Sequence, residues 1–302
     1  MTARFILSLD CEGKWGSADR LSPTDRRDLT DEKLRQAYSS ILQLLDEYAI
    51  DATFAFVGAF SQSRHAFARI QPYLQSLRAN VPGYLGPALR DIQETNGDGW
   101  HGDALVEAVA GSKLGHEIAL HGVTHVPWTI IESNFAQSEM DLFKQLEGPV
   151  GASRTFVYPR NLVAHTGVLE ENGFAGFRTA RPKRSRLASL LSEFDIFAVP
   201  ERATPKGGII EIPAGFFLNW RNGLRRMVPP GVTQLRAKRL LERAAASDAI
   251  VHYWLHPENI ATSPSTLELL RALLEQVARA RDSARCEVLT QLGYCRLAET
   301  LL

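Results

Sequence analysis

Reactive side chains are concentrated in four short motifs that lie far apart in the sequence. The motifs are Asp10-Cys11-Glu12, His121-Gly-Val-Thr-His125, Pro159-Arg160-Asn161 and Leu255-His256-Pro257. Each follows a short apolar run typical of a buried strand. In parallel α/β folds the carboxyl ends of the strands lie on one rim, where active sites are built. We therefore expect carboxylate, imidazole and guanidinium groups to meet at one place.

The two histidines of the second motif are candidate metal ligands. His121 and His125 are four residues apart, a spacing that puts two side chains on one face of a helical turn, about 5–6 Å apart at Cβ. Alone this spacing is weak evidence, because most such pairs are structural or solvated. A carboxylate on the same rim strengthens it, since two histidines and one carboxylate recur in catalytic metal sites that keep a position open for water.

The first motif supplies two carboxylates. Asp10 and Glu12 are two residues apart, so on an extended strand both side chains point to the same side and Cys11 points to the other. Two carboxylates at the end of an apolar strand repel each other unless a cation joins them. A thiol in this position could be a ligand, but packing as a small buried hydrophobe is the favoured interpretation for Cys11.

The fourth motif contains a histidine at the end of an apolar and aromatic run. A single histidine in such a place is usually a hydrogen-bonded core residue. The position of His256 on the same rim as the carboxylates favours an acid–base role, and we expect a supporting role for His252.

The elements that position these motifs alternate between short β-type runs and helical stretches. Strands are predicted at 4–10, 51–57, 116–121, 154–159, 174–179, 209–213 and 249–256, and helices at 31–48, 64–78, 103–111, 132–147, 165–172, 234–246 and 264–284. Alternation of this kind predicts a parallel sheet, and about seven units favour a distorted, TIM-like (β/α) barrel, with a doubly wound open sheet as the alternative. We expect a single domain over 1–302, with two loop-rich insertions at 79–101 and 201–230 that form lids or substrate walls.

Composition excludes several classes of protein. The 302 residues are 45% hydrophobic and carry 34 basic and 34 acidic side chains, so nothing in the net charge favours a nucleic acid or an anionic membrane as partner. Three cysteines are an odd count that fits a reducing compartment. No apolar segment approaches the roughly 18 residues of a membrane span, and the apolar run near the start is too short for a secretory signal. These features predict a soluble, cytoplasmic protein.

Taken together, the motifs resemble those of the polysaccharide deacetylase family, also called the NodB-homology or carbohydrate esterase family 4 fold. The matching segments are FILSLDCEG (5–13), YAIDATFAFVG (48–58), GHEIALHGVTH (115–125), FVYPR (156–160) and IVHYWLHP (250–257). In order and approximate spacing they cover nearly the whole chain. The second and third segments together are specific, whereas any one alone is not.

The resemblance implies a distorted (β/α) barrel that holds a divalent ion, most simply Zn²⁺. It implies that Glu12, His121 and His125 are the metal ligands. It also implies that Asp10 is the catalytic base and that His256 is the acid. The reaction implied is the removal of an N-acetyl group from an amino sugar, whose carrier (nucleotide, lipid or polymer) stays open, as does the oligomeric state.

The sequence departs from the family pattern in several places. Cys11 interrupts the usual adjacent acidic pair, so the roles of Asp10 and Glu12 could be exchanged. The usual arginine before the proline of the third motif is absent at Val157, and we expect Arg160 to supply that charge and to keep Asp10 ionised. The tryptophan-containing fourth motif is not located. These departures suggest a specialised branch that acts in surface-polysaccharide biosynthesis.

Remaining site residues are predicted from position. A backbone N–H near Arg160 or Asn161 would stabilise the oxyanion, and Asn161 is a candidate substrate-binding residue. Among the tryptophans that could stack on a sugar (Trp15, Trp128, Trp220 and Trp254), Trp220 is preferred because it lies in the long insertion, near Arg225 and Arg226, which could meet an anionic group. Two alternatives stay open: a deformylase or ring-opening amidase that uses the same site, and a catalytically inactive carbohydrate-binding homologue.

Overall fold

A parallel sheet of nine strands forms the centre of the molecule. The computed structural model describes residues 2–182, 185–201, 208–247 and 249–300. The strands are β1 Ala3–Cys11, β2 Thr53–Phe56, β3 Glu117–Leu120, β4 Thr155–Val157, β5 Gly176–Arg178, β6 Ile210–Ile212, β7 Phe216–Phe217, β8 Ile250–Leu255 and β9 Cys286–Leu289. All pairings between these strands are parallel.

The order of the strands is that of a nearly closed barrel. Eight strands follow one another as β6-β5-β4-β3-β2-β1-β8-β7, while β9 pairs with the first half of β1. The two ends of this path, β6 and β7, are separated in sequence only by residues 213–215. The TIM-like (β/α) barrel is therefore confirmed, with eight strands on the barrel path rather than the predicted seven. Two strands were not predicted: β7, which has only two residues, and β9, which is held in the sheet by its pairing with β1.

Helices surround the sheet. They are α1 Pro23–Asp28, α2 Asp31–Tyr48, α3 Arg64–Arg78, α4 Pro82–Glu94, α5 Asp103–Ala110, α6 Ser133–Phe143, α7 Thr166–Glu171, α8 Arg186–Leu191, α9 Pro230–Ser247, α10 Pro257–Thr262, α11 Ser265–Asp282 and α12 Gln291–Thr300. Short 3-10 helices lie at Gly13–Ser17, Trp128–Ile130, Pro149–Ala152, Pro159–Asn161, Ser192–Phe194 and Gly223–Met227. No helix within the described ranges is long and apolar enough to cross a membrane.

The longest helices show why their boundaries were predictable. The side chain of Thr30 accepts a hydrogen bond from the N–H of Lys33 and caps α2, and Ala49 ends that helix in the left-handed conformation. In α11, Leu270, Leu274 and Val277 are buried against the body of the protein, as their helical spacing predicts.

One of the two insertions is more regular than predicted. Residues 79–101 contain α4, so the expectation of a loop is wrong for this stretch; Pro82 stands in the first turn, where a proline is tolerated. Within 201–230 lie β6, β7 and a 3-10 helix, and residues 202–207 of this insertion lie outside the described residues.

Side chains inside the barrel divide it into a closed end and a polar rim. At the amino-terminal end of the strands, Ile6 packs with Tyr294 and Cys295 of α12, and Gly176 leaves the space that Cys295 occupies. At the carboxyl-terminal end the interior is lined by buried ionisable side chains, among them Asp10, His121 and Arg178. All three cysteines, including Cys11, are free and buried.

Candidate active site and metal centre

Three imidazole rings surround a single carboxylate oxygen. Glu12 Oε1 lies 2.9 Å from His121 Nε2, 3.0 Å from His125 Nε2 and 3.4 Å from His256 Nε2. Glu12 directly follows β1, His121 follows β3 and His256 follows β8. The barrel therefore brings together residues from three strands whose carboxyl ends share one rim.

The hydrogen bonds of His121 leave one ring nitrogen available as a ligand. Its Nδ1 lies 2.8 Å from the carbonyl oxygen of Val157, which can only accept, so Nδ1 carries the proton. In the neutral ring, Nε2 then carries a lone pair that faces the carboxylate of Glu12. Two acceptors at this distance repel each other, so the contact is favourable only when a proton or a cation lies between them. Metal-binding histidines are oriented in this way by a carbonyl behind the ring.

Two groups of ligand atoms have the compactness of a metal site. The ligand atoms of Glu12, His121 and His125 all lie within 4.8 Å of one another, and so do those of Asp10, Glu12 and His256. One carboxylate and two imidazoles are a donor set that suits Zn²⁺ and related divalent ions. The residues present therefore fit the metal that the resemblance implies.

The histidine pair is not on a helix, which corrects the sequence-based expectation. Residues 121–125 form an irregular loop in which Gly122 and His125 have positive φ angles of 67° and 58°. A side chain at position 122 would collide with the ring of Pro159, so glycine is required there. The two imidazoles converge because the loop folds back.

Buried hydrogen bonds hold this loop in place. The N–H of Gly58 donates to the carbonyl of Gly122 at 2.9 Å. From α6, the buried carboxylate of Glu139 accepts from the N–H and hydroxyl of Thr124 and from the indole N–H of Trp128 at 2.7 Å. Burial raises the pKa of Glu139, and these donors oppose the rise. The sequence offered no signal for Glu139, because a glutamate inside an amphipathic helix is usually on the solvated face.

A buried arginine on β5 holds Asp10. Arg178 reaches across the barrel, and its Nη1 and Nη2 donate to the two oxygens of Asp10 at 2.7 and 2.6 Å. It also donates to Ser8 at 3.1 Å and to the amide oxygen of Asn161 at 2.7 Å. Burial by itself raises the pKa of Asp10, but the charges of Arg178 and His121 outweigh it and lower the pKa below its ordinary value.

Arg160 does not have the position predicted for it. Its guanidinium donates to the hydroxyl of Tyr84 at 2.7 Å and pairs with Asp19, and the predicted contact with Asp10 is wrong. Arg160 lies in the 3-10 helix that follows β4, where it has a φ of 57°, and its side chain is engaged by Asp19 and Tyr84. Arg178 was missed, although a charged residue at the end of the apolar strand predicted at 174–179 was a usable signal.

A chain of hydrogen bonds lies beneath the ion pair of Arg178 and Asp10, and the donor and acceptor of each bond can be assigned. His252 Nδ1 donates to the carbonyl of Pro213 at 2.6 Å, so its Nε2 accepts from the hydroxyl of Ser8 at 2.8 Å, and Ser8 in turn accepts from Arg178. Burial lowers the pKa of His252 to about 3 and keeps it neutral. The structure thus places His252 where it supports Arg178.

His256 and Glu258 form the opposite wall of the site. Burial lowers the pKa of His256, but the carboxylates of Glu12 and Asp10 outweigh burial and raise the pKa to about 10. Glu258 Oε1 accepts from the backbone N–H of Glu12 at 3.0 Å and from that of Gly13. Burial and the charge of Glu12 raise the pKa of Glu258 to about 7. Glu258 therefore fixes the turn that presents Glu12, a role that the sequence analysis missed.

A glycine just after the first motif makes room for the Glu12 carboxylate. A Cβ atom at Gly16 would overlap Glu12 Oε2, and the overlap cannot be relieved without moving that carboxylate. The short 3-10 helix Gly13–Ser17 thus packs its backbone directly against the side chain at the centre of the site.

A cleft of about 380 Å³ opens beside His256 and Asn161. Its wall includes Trp254, which stacks on the Arg178 guanidinium at 4.8 Å, and Phe217. Trp220 is not among the residues that line it, and Trp15 and Trp128 are fully buried in the core. Of the four candidate tryptophans, the structure places Trp254 at the cleft.

The remaining sequence-predicted groups divide between the cleft and the surface. Arg225 lines the cleft and pairs with Glu193, whereas Arg226 lies outside the lining. The N–H of Asn161 already donates to the carbonyl of Tyr158 at 2.9 Å, which leaves the N–H of Arg160 as the candidate oxyanion donor.

Comparison with known proteins shows the fold. No protein-family model and no curated protein sequence matches this chain. The structure is similar to a protein described as a polysaccharide deacetylase from Mycobacterium smegmatis, with a TM-score of 0.65 and 15% identity over 99% of this chain and 91% of that chain. It is also similar to a protein described as a polysaccharide deacetylase from Pseudomonas aeruginosa PAO1, with a TM-score of 0.55 and 12% identity over 97% and 90%.

A third solved structure has the same fold and a different name. The PuuE allantoinase matches with a TM-score of 0.53 and 14% identity over 97% of this chain and 89% of that chain. Identities of this size show a shared fold and no more. The resemblance to polysaccharide deacetylases is thus confirmed at the level of the fold, and the reaction has to be argued from the site.

Proposed function

We propose that this chain is a metal-dependent hydrolase that removes an N-acetyl group from an amino sugar. The observation that carries the proposal is the convergence of Glu12, His121 and His125 beside Asp10 and His256. Residues that follow β1 and β3 form a compact donor set, with the ionised carboxylate of Asp10 on one side and His256, which follows β8, on the other. This is the arrangement that metal-assisted amide hydrolysis requires.

Glu12, His121 and His125 would hold the divalent ion, for which we propose Zn²⁺. When bound, such an ion supplies a Lewis acid and makes water more acidic. The two acidic residues then have separate roles, which supports Glu12 as ligand and Asp10 as base: Glu12 contacts the histidines, whereas both oxygens of Asp10 are bonded to Arg178.

Asp10 is suited to accept the proton of the attacking water. Its carboxylate is buried but is kept ionised by Arg178, so it is ready to take a proton at neutral pH. On the opposite wall His256 is suited to give a proton to the amine nitrogen as the C–N bond breaks, because the neighbouring carboxylates favour its protonated form. The backbone N–H of Arg160 is the donor that we propose for the oxyanion.

For the substrate we propose an amino sugar that enters the cleft beside His256. The cleft of about 380 Å³ and its aromatic wall of Trp254 and Phe217 suit the face of a sugar ring. We also propose a role in surface-polysaccharide biosynthesis in the cytoplasm, a location supported by the three free, buried cysteines.

The experiment is a screen of N-acylated nucleotide sugars, lipid-linked sugars and oligosaccharides for acid release, combined with metal analysis. We expect acetate as the product and one equivalent of metal per chain. Asp10→Asn and His256→Ala should fold and be inactive, and His121→Ala should lose the metal. A folded, metal-free wild-type protein that releases no acid would support the inactive carbohydrate-binding alternative instead.

A second candidate function uses the same site to hydrolyse a different amide bond. Similarity in fold to an allantoinase favours including a ring-opening amidase, together with a deformylase, in the same screen. Formate from an N-formyl sugar, or opening of a cyclic amide without release of acetate, would replace the first proposal.

A further inference from the structure

Exposed apolar side chains are concentrated on one face of the molecule. In the described part of the chain, seven of the ten exposed large hydrophobic residues lie in two segments and are 45–72% exposed. Five lie in or after α8: Leu187, Leu191, Phe194, Phe197 and Val199. Two more, Leu224 and Met227, lie in the 3-10 helix Gly223–Met227. We call these seven residues the apolar patch. Monomeric soluble proteins rarely expose so many large apolar groups together without a partner.

The two segments adjoin each other and border the cleft. Arg225, between Leu224 and Met227, donates to Ser189 at 2.9 Å and pairs with Glu193. Ser189, Glu193 and Arg225 also line the cleft that contains His256. The apolar patch therefore surrounds part of the entrance to the proposed active site.

The surroundings of the patch carry a net positive charge. Five arginines contact or lie within it: Arg225 and Arg236 pair with Glu193, Arg239 and Arg243 stack on Phe197, and Arg226 is exposed. The acidic residues in the patch segments are Glu193, which is buried between two of these arginines, and Asp195. Over 187–199, 223–227 and the adjoining α9 stretch 236–243, Lys238 adds one basic residue and Glu242 one acidic residue, so six positive against three negative charges leave an excess of three, which the balanced charge of the whole chain conceals.

We propose that the apolar patch docks on an anionic lipid surface and holds the entrance of the cleft at the level of the lipid headgroups. Large apolar side chains on short helices, flanked by arginines, enter the interface while the guanidinium groups bind anionic headgroups. A second copy of the chain is a poorer occupant, because a two-fold contact through this face would bring the same arginines against each other. The inference goes beyond the proposed function and does not depend on it.

Vesicle binding tests this inference without any turnover. The purified full chain is mixed with vesicles of phosphatidylcholine alone or of phosphatidylcholine and phosphatidylglycerol, and the bound fraction is measured by co-sedimentation. We expect binding to the mixed vesicles that weakens as salt is added. Leu224→Ser combined with Met227→Ser should lower the partition coefficient about tenfold or more. The matched control is Tyr73→Ser, an exposed residue on α3 away from the patch, which should bind like the wild type.

Three outcomes would overturn the proposal: no binding of the wild type to the mixed vesicles, equal binding to both kinds of vesicle, or unchanged binding of the double variant with an unchanged melting temperature. A dimer in sedimentation velocity that the same double variant dissociates would replace the lipid surface with a second copy. Because no substrate is present, failure here leaves the proposed deacetylation intact, and an inactive enzyme that binds vesicles leaves this inference intact.

Discussion

Replacing Arg178 with methionine is the most informative single change in this protein. The side chain of Arg178 is fully buried and donates four hydrogen bonds, two of them to a carboxylate that is itself only 2% exposed. Methionine keeps most of the length of the side chain and removes the charge and the donors. Asp10 is then left buried without its partner.

The expected cost is large because the ion pair is buried. Breaking such a pair by removing one partner costs about 3–5 kcal/mol in the free energy of unfolding. The pKa of Asp10 should also rise, since burial raises it and the main opposing charge is gone. In the wild type the pair stabilises the fold above the unfolded pKa of Asp10, near 3.8, and this contribution is lost as the pH falls through the lower folded pKa.

Two measurements test these expectations. Urea unfolding at a fixed metal concentration gives the free energy of unfolding, and acid release as a function of pH gives the activity profile. Arg178→Met should lower kcat/KM at least a hundredfold, and the acidic limb of its profile should move to higher pH because Asp10 becomes protonated there. Arg178→Lys keeps the charge but loses the two parallel N–H donors to Asp10, so its kcat/KM should lie between those of the wild type and Arg178→Met.

Arg160→Met is the matched control, since Arg160 is the arginine favoured by sequence alone. Its pair with Asp19 is partly exposed, so its loss should cost about 1 kcal/mol or less. If Arg178→Met folds poorly, the double variant with Asp10→Asn should recover roughly 1–3 kcal/mol, because the two changes remove both charges together. A larger loss of stability in Arg160→Met than in Arg178→Met, or a double variant no more stable than Arg178→Met, would show that the pair of Arg178 and Asp10 does not have this role.

Three further predictions concern the turns that hold the ligands. Gly16→Ala should displace the Glu12 carboxylate and lower metal affinity by about 10–100-fold, whereas Gly167→Ala, where a Cβ meets nothing, should leave it unchanged in a metal titration. Glu258→Leu should lower metal affinity to a similar degree, because two backbone N–H groups lose their acceptor, and Glu258→Gln should retain most of it; equal effects would exclude this positioning role. Glu139→Leu should also weaken metal binding, by about tenfold, because the loop 121–125 loses the hydrogen bonds that hold it in place. An unchanged metal affinity would show that the position of this loop does not depend on Glu139.

Much of the fold could be predicted because its signals are local. The boundaries of α2 and α3 follow from their capping residues and helical periodicity, and both were predicted at their observed limits. Seven of the eight strands on the barrel path are apolar runs bounded by turns and were predicted. The two-residue strand β7 and the four-residue β9 carry no such pattern, since they are held in the sheet by pairing with β8 and β1.

The conformation of the metal loop was not predictable from spacing alone. His121 and His125 meet at Glu12 as expected, but through positive φ angles at Gly122 and His125 rather than through a helical turn. These angles depend on contacts with Pro159, Gly58 and α6, which are remote in sequence.

By itself the sequence determined which residue types stand at the strand ends, and hence that Asp10, Glu12, the two loop histidines and His256 would share a rim. Only the tertiary structure decided which arginine pairs with which carboxylate. Arg160 was the candidate that the motif favoured, yet it pairs with Asp19, and Arg178 reaches Asp10 from the far side of the barrel. An ion pair across the barrel interior depends on barrel closure and on side-chain direction. Neither of these produces a periodic pattern in the amino-acid sequence.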